Sequence, residues 1–252
     1  METPVPATPT PTDSGPTLSI LQRFAAIFGR PTAAWSGLRE RAQVWFPMLV
    51  VAIANTATIG AVYRRAFLPM ITAQWDSKVE SGAMSPESYD HVVSFMSGPA
   101  GLAIFTVQQF IMSILLLLGL AAAVWFGMSF VLGHKMKYRW ALEVAAWSSL
   151  ISVPTVLLTG ILAWVKEDWQ SAHVGFGILL PQPDTPSRLS TALGVFLDGI
   201  GPLAIWFVAV LVIGASAMSG APRKNAAWVI GGLYLVLLLF GSAMASLQVP
   251  AS

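Results

Sequence analysis

The 252-residue chain has no cysteine, which excludes disulfides, thiolate nucleophiles and iron–sulfur ligation. Charge is scarce: 10% of residues are Asp, Glu, Lys or Arg, against roughly 25% in an average soluble domain. The net charge is only +2 and the basic residues are scattered, so no nucleic-acid footprint is present. The three histidines, His91, His134 and His173, lie too far apart in sequence to form a ligand cluster. Asp90, His91, Glu167, Asp168 and His173 would have to meet outside a membrane to bind a metal, and no metal site is expected. Nucleophile elbow, phosphate loop and zinc-protease helix are all missing. The expectation is therefore a non-enzymatic chain with no cofactor. What is plentiful is apolar side chain, at 55% of residues, which puts the chain in the membrane class.

The first seventeen residues, METPVPATPTPTDSGPT, hold no packable face and read as a disordered proline-rich tail. The first twenty contain neither lysine nor arginine, so a cleaved secretory signal is not expected. Residues 18–43 read as interfacial amphipathic helices. Leu21, Phe24, Ile27 and Phe28 recur at helical spacing while Gln22, Arg23 and Arg30 fall elsewhere. Pro31 suits the first turn of a second helix carrying Trp35, Leu38 and Ala42. Such a segment suits the headgroup layer; a helix pair packed on the protein itself is the alternative.

Crossing a hydrocarbon core of about 30 Å takes about twenty helical residues, and residues 44–249 supply five such stretches. They fall at about 44–63, 104–130, 140–164, 201–220 and 226–247. The fold class is thus an all-α integral membrane protein, a five-helix bundle with interfacial helices. The second run, Gly101 to Gly133, is too long for one upright span and must tilt, protrude or break. Arg23, Arg30, Arg39, Arg41, Lys135, Lys137, Arg139, Arg223 and Lys224 fall on one side; Arg64, Arg65, Lys78, Lys166 and Arg188 fall on the other. The bias puts the N-terminus in the cytoplasm and the C-terminus outside.

Few polar residues interrupt the spans. Glu143 lies in the first turn of the third, four residues after Arg139, so an interfacial ion pair is its ordinary explanation. An intramembrane acid is also a functional candidate. Asp198 precedes Gly199, Gly201 and Pro202. Counting back about twenty residues from Arg223 places it outside the hydrocarbon, as an acidic helix-start signal. The competing reading is a broken half-helix aimed at a substrate. Gln108 and Gln109 are candidates for interhelical hydrogen bonds, outer-interface positions or substrate contact. Asn55, Thr56 and Thr58 read the same way. Gly119, Ala123 and Gly127, and likewise Gly241 and Ala245, repeat at every fourth position and allow close helix approach. Packing within the chain is favoured; a homo-oligomer is the alternative.

The stretches RFAAIFGRPTAAWSGLRERAQVWFPMLV, MKYRWALEVAAWSSLISVPTVLL and IWFVAVLVIGASAMSGAPRKNAAWVI together resemble the bacterial Yip-domain (Ypt/Rab-interacting protein) family. The likeness runs from about residue 20 to 247 and rests on soft motifs: a phenylalanine- and proline-bearing amphipathic entry, a mid-helix proline in the third span, and a short Arg-Lys loop before the last. The resemblance implies five spans and a cytosolic N-terminus. Eukaryotic members act in vesicle traffic and bind prenylated Rab-type GTPases. Their Asp-Leu-Tyr-Gly-Pro motif precedes the first span, whereas DGIGP here precedes the fourth, so no role is carried onto Asp198 or Pro202. The departures favour a bacterial homologue in the cytoplasmic (inner) membrane. The expected function is a scaffold or membrane organiser whose partners are the lipid bilayer and membrane or cytosolic proteins. A small transporter or channel is the alternative.

Overall fold

Proline, glycine and serine punctuate the chain. In the computed structural model, which describes residues 18–169, 171–181 and 187–247, they mark most helix starts. The tail before residue 18 lies outside the described residues. Helix α1 (Ile20–Gly29) opens on a capping box in which Ser19 and Gln22 satisfy each other's backbone N–H groups. Helix α8 (Arg188–Asp198) repeats the device with Ser187 and Ser190. Helices α4 (Pro86–Ser97), α5 (Pro99–Phe126) and α9 (Pro202–Ser219) each start with proline at the first helical position, where its missing N–H costs nothing.

Helix α2 (Trp45–Val62) does not stop at the paired arginines that follow it. A π-turn, Tyr63–Phe67, carries it into α3 (Leu68–Glu80). The wide turn sits just ahead of Pro69, whose ring lacks the N–H for a regular ladder. The continuous stretch Trp45–Glu80 has 36 residues, about 54 Å at the usual rise per residue, nearly twice the hydrocarbon thickness. The chain then turns and α4 runs back beside α3. None of the residues in α3 or α4 is buried. The segment that follows the first span is therefore a helical hairpin standing beyond the hydrocarbon, a feature the sequence did not announce.

Helix α5 and its terminal π-turn, Gly127–Val131, form one helical stretch of 33 residues, so the overlong second run protrudes or tilts without breaking. The third span is bent. Helices α6 (Tyr138–Ser149) and α7 (Ser152–Lys166) meet at 40° across Leu150 and Ile151, with Pro154 just inside the second arm. Helix α10 (Arg223–Leu247) returns from α9 through a tight turn at Gly220, in the left-handed region. The result is an all-α membrane protein. By length and composition, four helical stretches can cross a bilayer, and the bent pair makes a fifth.

Helix α6 is the centre of the bundle. Eight of its residues, Ala141 and Glu143 to Ser149, are buried, enclosed by α1, α2, α5 and α9. Trp147, Leu150 and Ile151 pack with Val124 and Met128 of the second span and with Val210, Leu211 and Ala215 of α9. The periphery is the reverse: Leu235, Leu237, Leu239 and Phe240 of α10 and Ile111, Leu115 and Leu116 of α5 are exposed. Apolar ridges of that length face lipid chains.

The segment before α2 also packs on the bundle. Ile27, Trp35 and Leu38 are buried in the same core, and the Trp35 indole lies over Gly214 of α9, where a Cβ would come within 2.6 Å of the ring. Leu21 and Phe24 remain exposed. One flank of the segment thus lies on the protein, and the other points outward.

Candidate functional site

Glu143 can be carried inside the membrane domain because α6 is wrapped by other helices. Its side chain is 0% exposed. One carboxylate oxygen accepts the backbone N–H of Gln43 at 2.7 Å; the other accepts the indole N–H of Trp147, one turn on, at 3.1 Å. Gln43 in turn accepts from Arg23 Nε at 2.9 Å. The Arg23 guanidinium donates to the carbonyls of Ala34 and Ser36 and lies 5.7 Å from the Trp147 ring centre. Arg23 is 1% exposed. Burial lowers its pKa, and the negative charge of Glu143 acts in the opposite direction. A positive and a negative group are therefore sunk together, linked through Gln43 and Trp147, with both Glu143 oxygens in use. The arrangement fastens the N-terminal segment to the central helix.

One expectation is corrected here. The expected contact with Arg139 is not direct: its guanidinium donates to the carbonyl of Arg39, beside Trp140, whose indole N–H donates to the same oxygen at 3.4 Å, and the Arg139 charge reaches Glu143 only at longer range. Glu143 itself is enclosed by protein on all sides. Arg23 is the residue that sequence reasoning missed. The periodicity sets Arg23 off the stripe of Leu21, Phe24, Ile27 and Phe28, yet the residues buried are Arg23 and, from that stripe, Ile27. Their spacing of four was the available signal.

Asp198 is the second interruption. It is the last residue of α8 rather than the opening signal of α9, whose N-cap, Gly201, makes no side-chain cap hydrogen bond. An acid at a helix C-terminus opposes the helix dipole and needs other donors. His173 supplies one, with Nδ1 2.5 Å from Asp198 Oδ2, and the Gly175 N–H gives Oδ1 another at 3.2 Å. The loop can embrace the aspartate only because it is glycine-rich: a Cβ at Gly175 would lie 2.4 Å from the Asp198 carbonyl oxygen, and one at Gly177 2.5 Å from Oδ1. Tyr234 of α10 ties in the following turn by donating to the Gly199 carbonyl at 2.7 Å. Below this clasp lies a cavity of about 430 Å³ whose lining includes Thr155, Val174, Asp198, Pro202, Phe207 and Tyr234. His173 thus meets an acid distant in sequence. Among the described residues no three His, Asp or Glu side chains gather as a metal site.

The glutamines lie apart from both groups. Gln108 is exposed and Gln109 half-buried. Their level on α5 is bracketed by the Tyr63–Phe105 ring contact and by the hydrogen bond from Asn55 to Ser113, 3.3 Å. The latter is an interhelical bond of the kind expected for the first span. The small residues divide. Gly127 faces α10, where a Cβ would come within 2.7 Å of Val229, but a Cβ at Gly119 or Gly241 would meet nothing. Neither of those two glycines spaces helices within the chain. Ala123 and Ala245 are half-buried.

The match to known proteins is at the level of the family. No curated protein and no solved structure matches the chain. A family model, the Yip1 domain, matches residues 25–245, from within α1 to the last turn of α10. The chain belongs to the Yip1-domain family of membrane proteins.

Proposed function

We propose that this protein is a non-enzymatic scaffold or membrane organiser, one that presents surfaces to protein partners in or beside the bilayer. The observation carrying this reading is that both acids interrupting the apolar segments are consumed inside the chain. Glu143 holds Gln43 and Trp147; Asp198 holds His173 and the Gly175 amide. The exposed α3–α4 hairpin offers a surface beyond the hydrocarbon. The lysine and arginine distribution supports a cytosolic N-terminus and an outer C-terminus, and the departures from the eukaryotic motif support a bacterial cytoplasmic membrane. Crosslinking in native membranes followed by mass spectrometry tests the proposal. Stoichiometric protein partners are expected, and repeated recovery of the chain alone would refute it.

A small transporter is the second reading, favoured by one observation: Asp198 lines the 430 Å³ cavity beside the Gly199–Pro202 break. Protein in liposomes would then show a solute flux abolished in Asp198→Asn. Absence of flux with the variant still folded removes this reading.

A further inference from the structure

On the membrane-facing side of the bundle, α2 and α7 touch closely at Gly160, where a Cβ would lie 2.2 Å from Thr58 Cγ2. Beside that contact the helices leave an open groove of about 400 Å³, lined by Ala57, Ala61, Leu157, Ile161, Trp164 and Val165 among others. One end is marked by charge. The Arg65 guanidinium sits 4.9 Å from the ring of Trp164, itself a groove residue, and Arg65 Nη2 is 2.6 Å from Glu167 Oε1. Both ionic side chains remain reachable, at 43% and 62% exposure. The neighbouring cations are engaged on the backbone: Lys166 donates to the Ser171 carbonyl and Arg64 to that of Ser97.

Glu167 is held there against two local preferences. It closes α7 with φ 56°, the one non-glycine among the described residues at positive φ, where glycine is the usual choice. A carboxylate at a helix C-terminus also opposes the dipole, and a partly exposed ion pair does little to offset either. A tryptophan under a cation at the end of an apolar groove has the layout of the lipid headgroup boundary.

We propose that this groove is a binding site for phosphatidylethanolamine. One acyl chain lies along Ala57, Ala61, Leu157 and Ile161, the phosphate accepts hydrogen bonds from Arg65, and the primary ammonium donates to Glu167. An opposed cation and anion match the opposed charges of that headgroup. An anionic headgroup without an ammonium would set its charge against Glu167. A quaternary choline has no N–H to donate.

The test is native mass spectrometry of the full chain, purified and equilibrated with an equimolar mixture of phosphatidylethanolamine, phosphatidylcholine and phosphatidylglycerol. The wild type retains phosphatidylethanolamine about fivefold over the others, as expected of a partly exposed charge contact. Glu167→Gln abolishes that preference. Ala61→Phe fills the groove, displacing about two methylenes, and lowers total retention about tenfold; Ala57→Leu acts in the same direction, and Ala122→Phe, on the lipid-facing side of α5, changes nothing. Thermal unfolding of each variant confirms that it is folded. Retention of the three lipids in bulk proportion, a preference for phosphatidylglycerol, or a preference unchanged in Glu167→Gln would overturn the proposal.

Discussion

Replacing Arg23 with methionine keeps most of the side-chain volume and deletes every donor. Three acceptors lose their partner: the carbonyls of Ala34 and Ser36 and the side-chain oxygen of Gln43. Stranding the buried Ala34 acceptor costs about 1–3 kcal/mol, and the half-buried Ser36 and Gln43 acceptors add a smaller cost. Local opening relieves part of this strain by returning the groups to water, so the effect falls chiefly on the docking of residues 18–43. At about 1.4 kcal/mol per decade, a change of about 3 kcal/mol multiplies the open population about a hundredfold. Trypsin reads that population when closing outpaces cleavage. Cuts at Arg39 and Arg41, exposed residues at the end of the docked segment, should therefore accelerate about a hundredfold in Arg23→Met, with a smaller fall in global melting temperature. Glu143→Gln keeps one acceptor oxygen and should cost about 1–2 kcal/mol. The double variant should be less damaged than the sum, with a coupling of about 1–3 kcal/mol. Wild-type cleavage rates at both arginines in Arg23→Met, together with an unchanged melting temperature, would refute the network as a fastening.

Three further outcomes follow from the geometry. Gly127→Leu drives a side chain into Val229 and Leu233 and should destabilise the bundle by about 1–3 kcal/mol in detergent melts, whereas Gly119→Leu should stay within about 0.5 kcal/mol. Gly175→Ala places a methyl against the Asp198 backbone and should increase amide hydrogen exchange at 174–178, an effect absent from Ala172→Gly; unchanged protection would count against the clasp. The Tyr89 phenol, on the exposed hairpin, is held above its ordinary pKa chiefly by a hydrogen bond with Asp76. Its ionisation therefore needs a higher pH than a free phenol, and Asp76→Asn should move its tyrosinate absorbance titration downward.

The membrane character and the helix starts were legible because they depend on local quantities, namely the length of apolar runs and the positions of proline, glycine and serine. The bent third span was half-legible through Pro154. What the sequence concealed depends on which helices enclose which. Ser148, Ser149 and Glu143 lower the apolarity of α6 because that helix faces protein on nearly every side, a fact set by α1, α2, α5 and α9 rather than by its own residues. Arg64 and Arg65 looked like a terminus, yet charged residues end a membrane crossing without ending a helix, and α3 simply continues into water. Asp198 looked like a beginning for the same reason: its partner His173 lies 25 residues earlier, beyond any window that reads helix signals.

The fastening of Gln43 to Glu143 spans 100 residues of chain, and that distance has a consequence for biogenesis. At synthesis rates of about 5–20 residues per second, Gln43 emerges about 5–20 s before the residue that will hold it, and Arg23 earlier still. During that interval the central helix is not there to cover α1, and the exposed Leu21 and Phe24 of α1 suit a temporary berth on the bilayer surface. Docking of the N-terminal segment is thus a late event in the maturation of the domain, completed only after the central helix has entered the membrane.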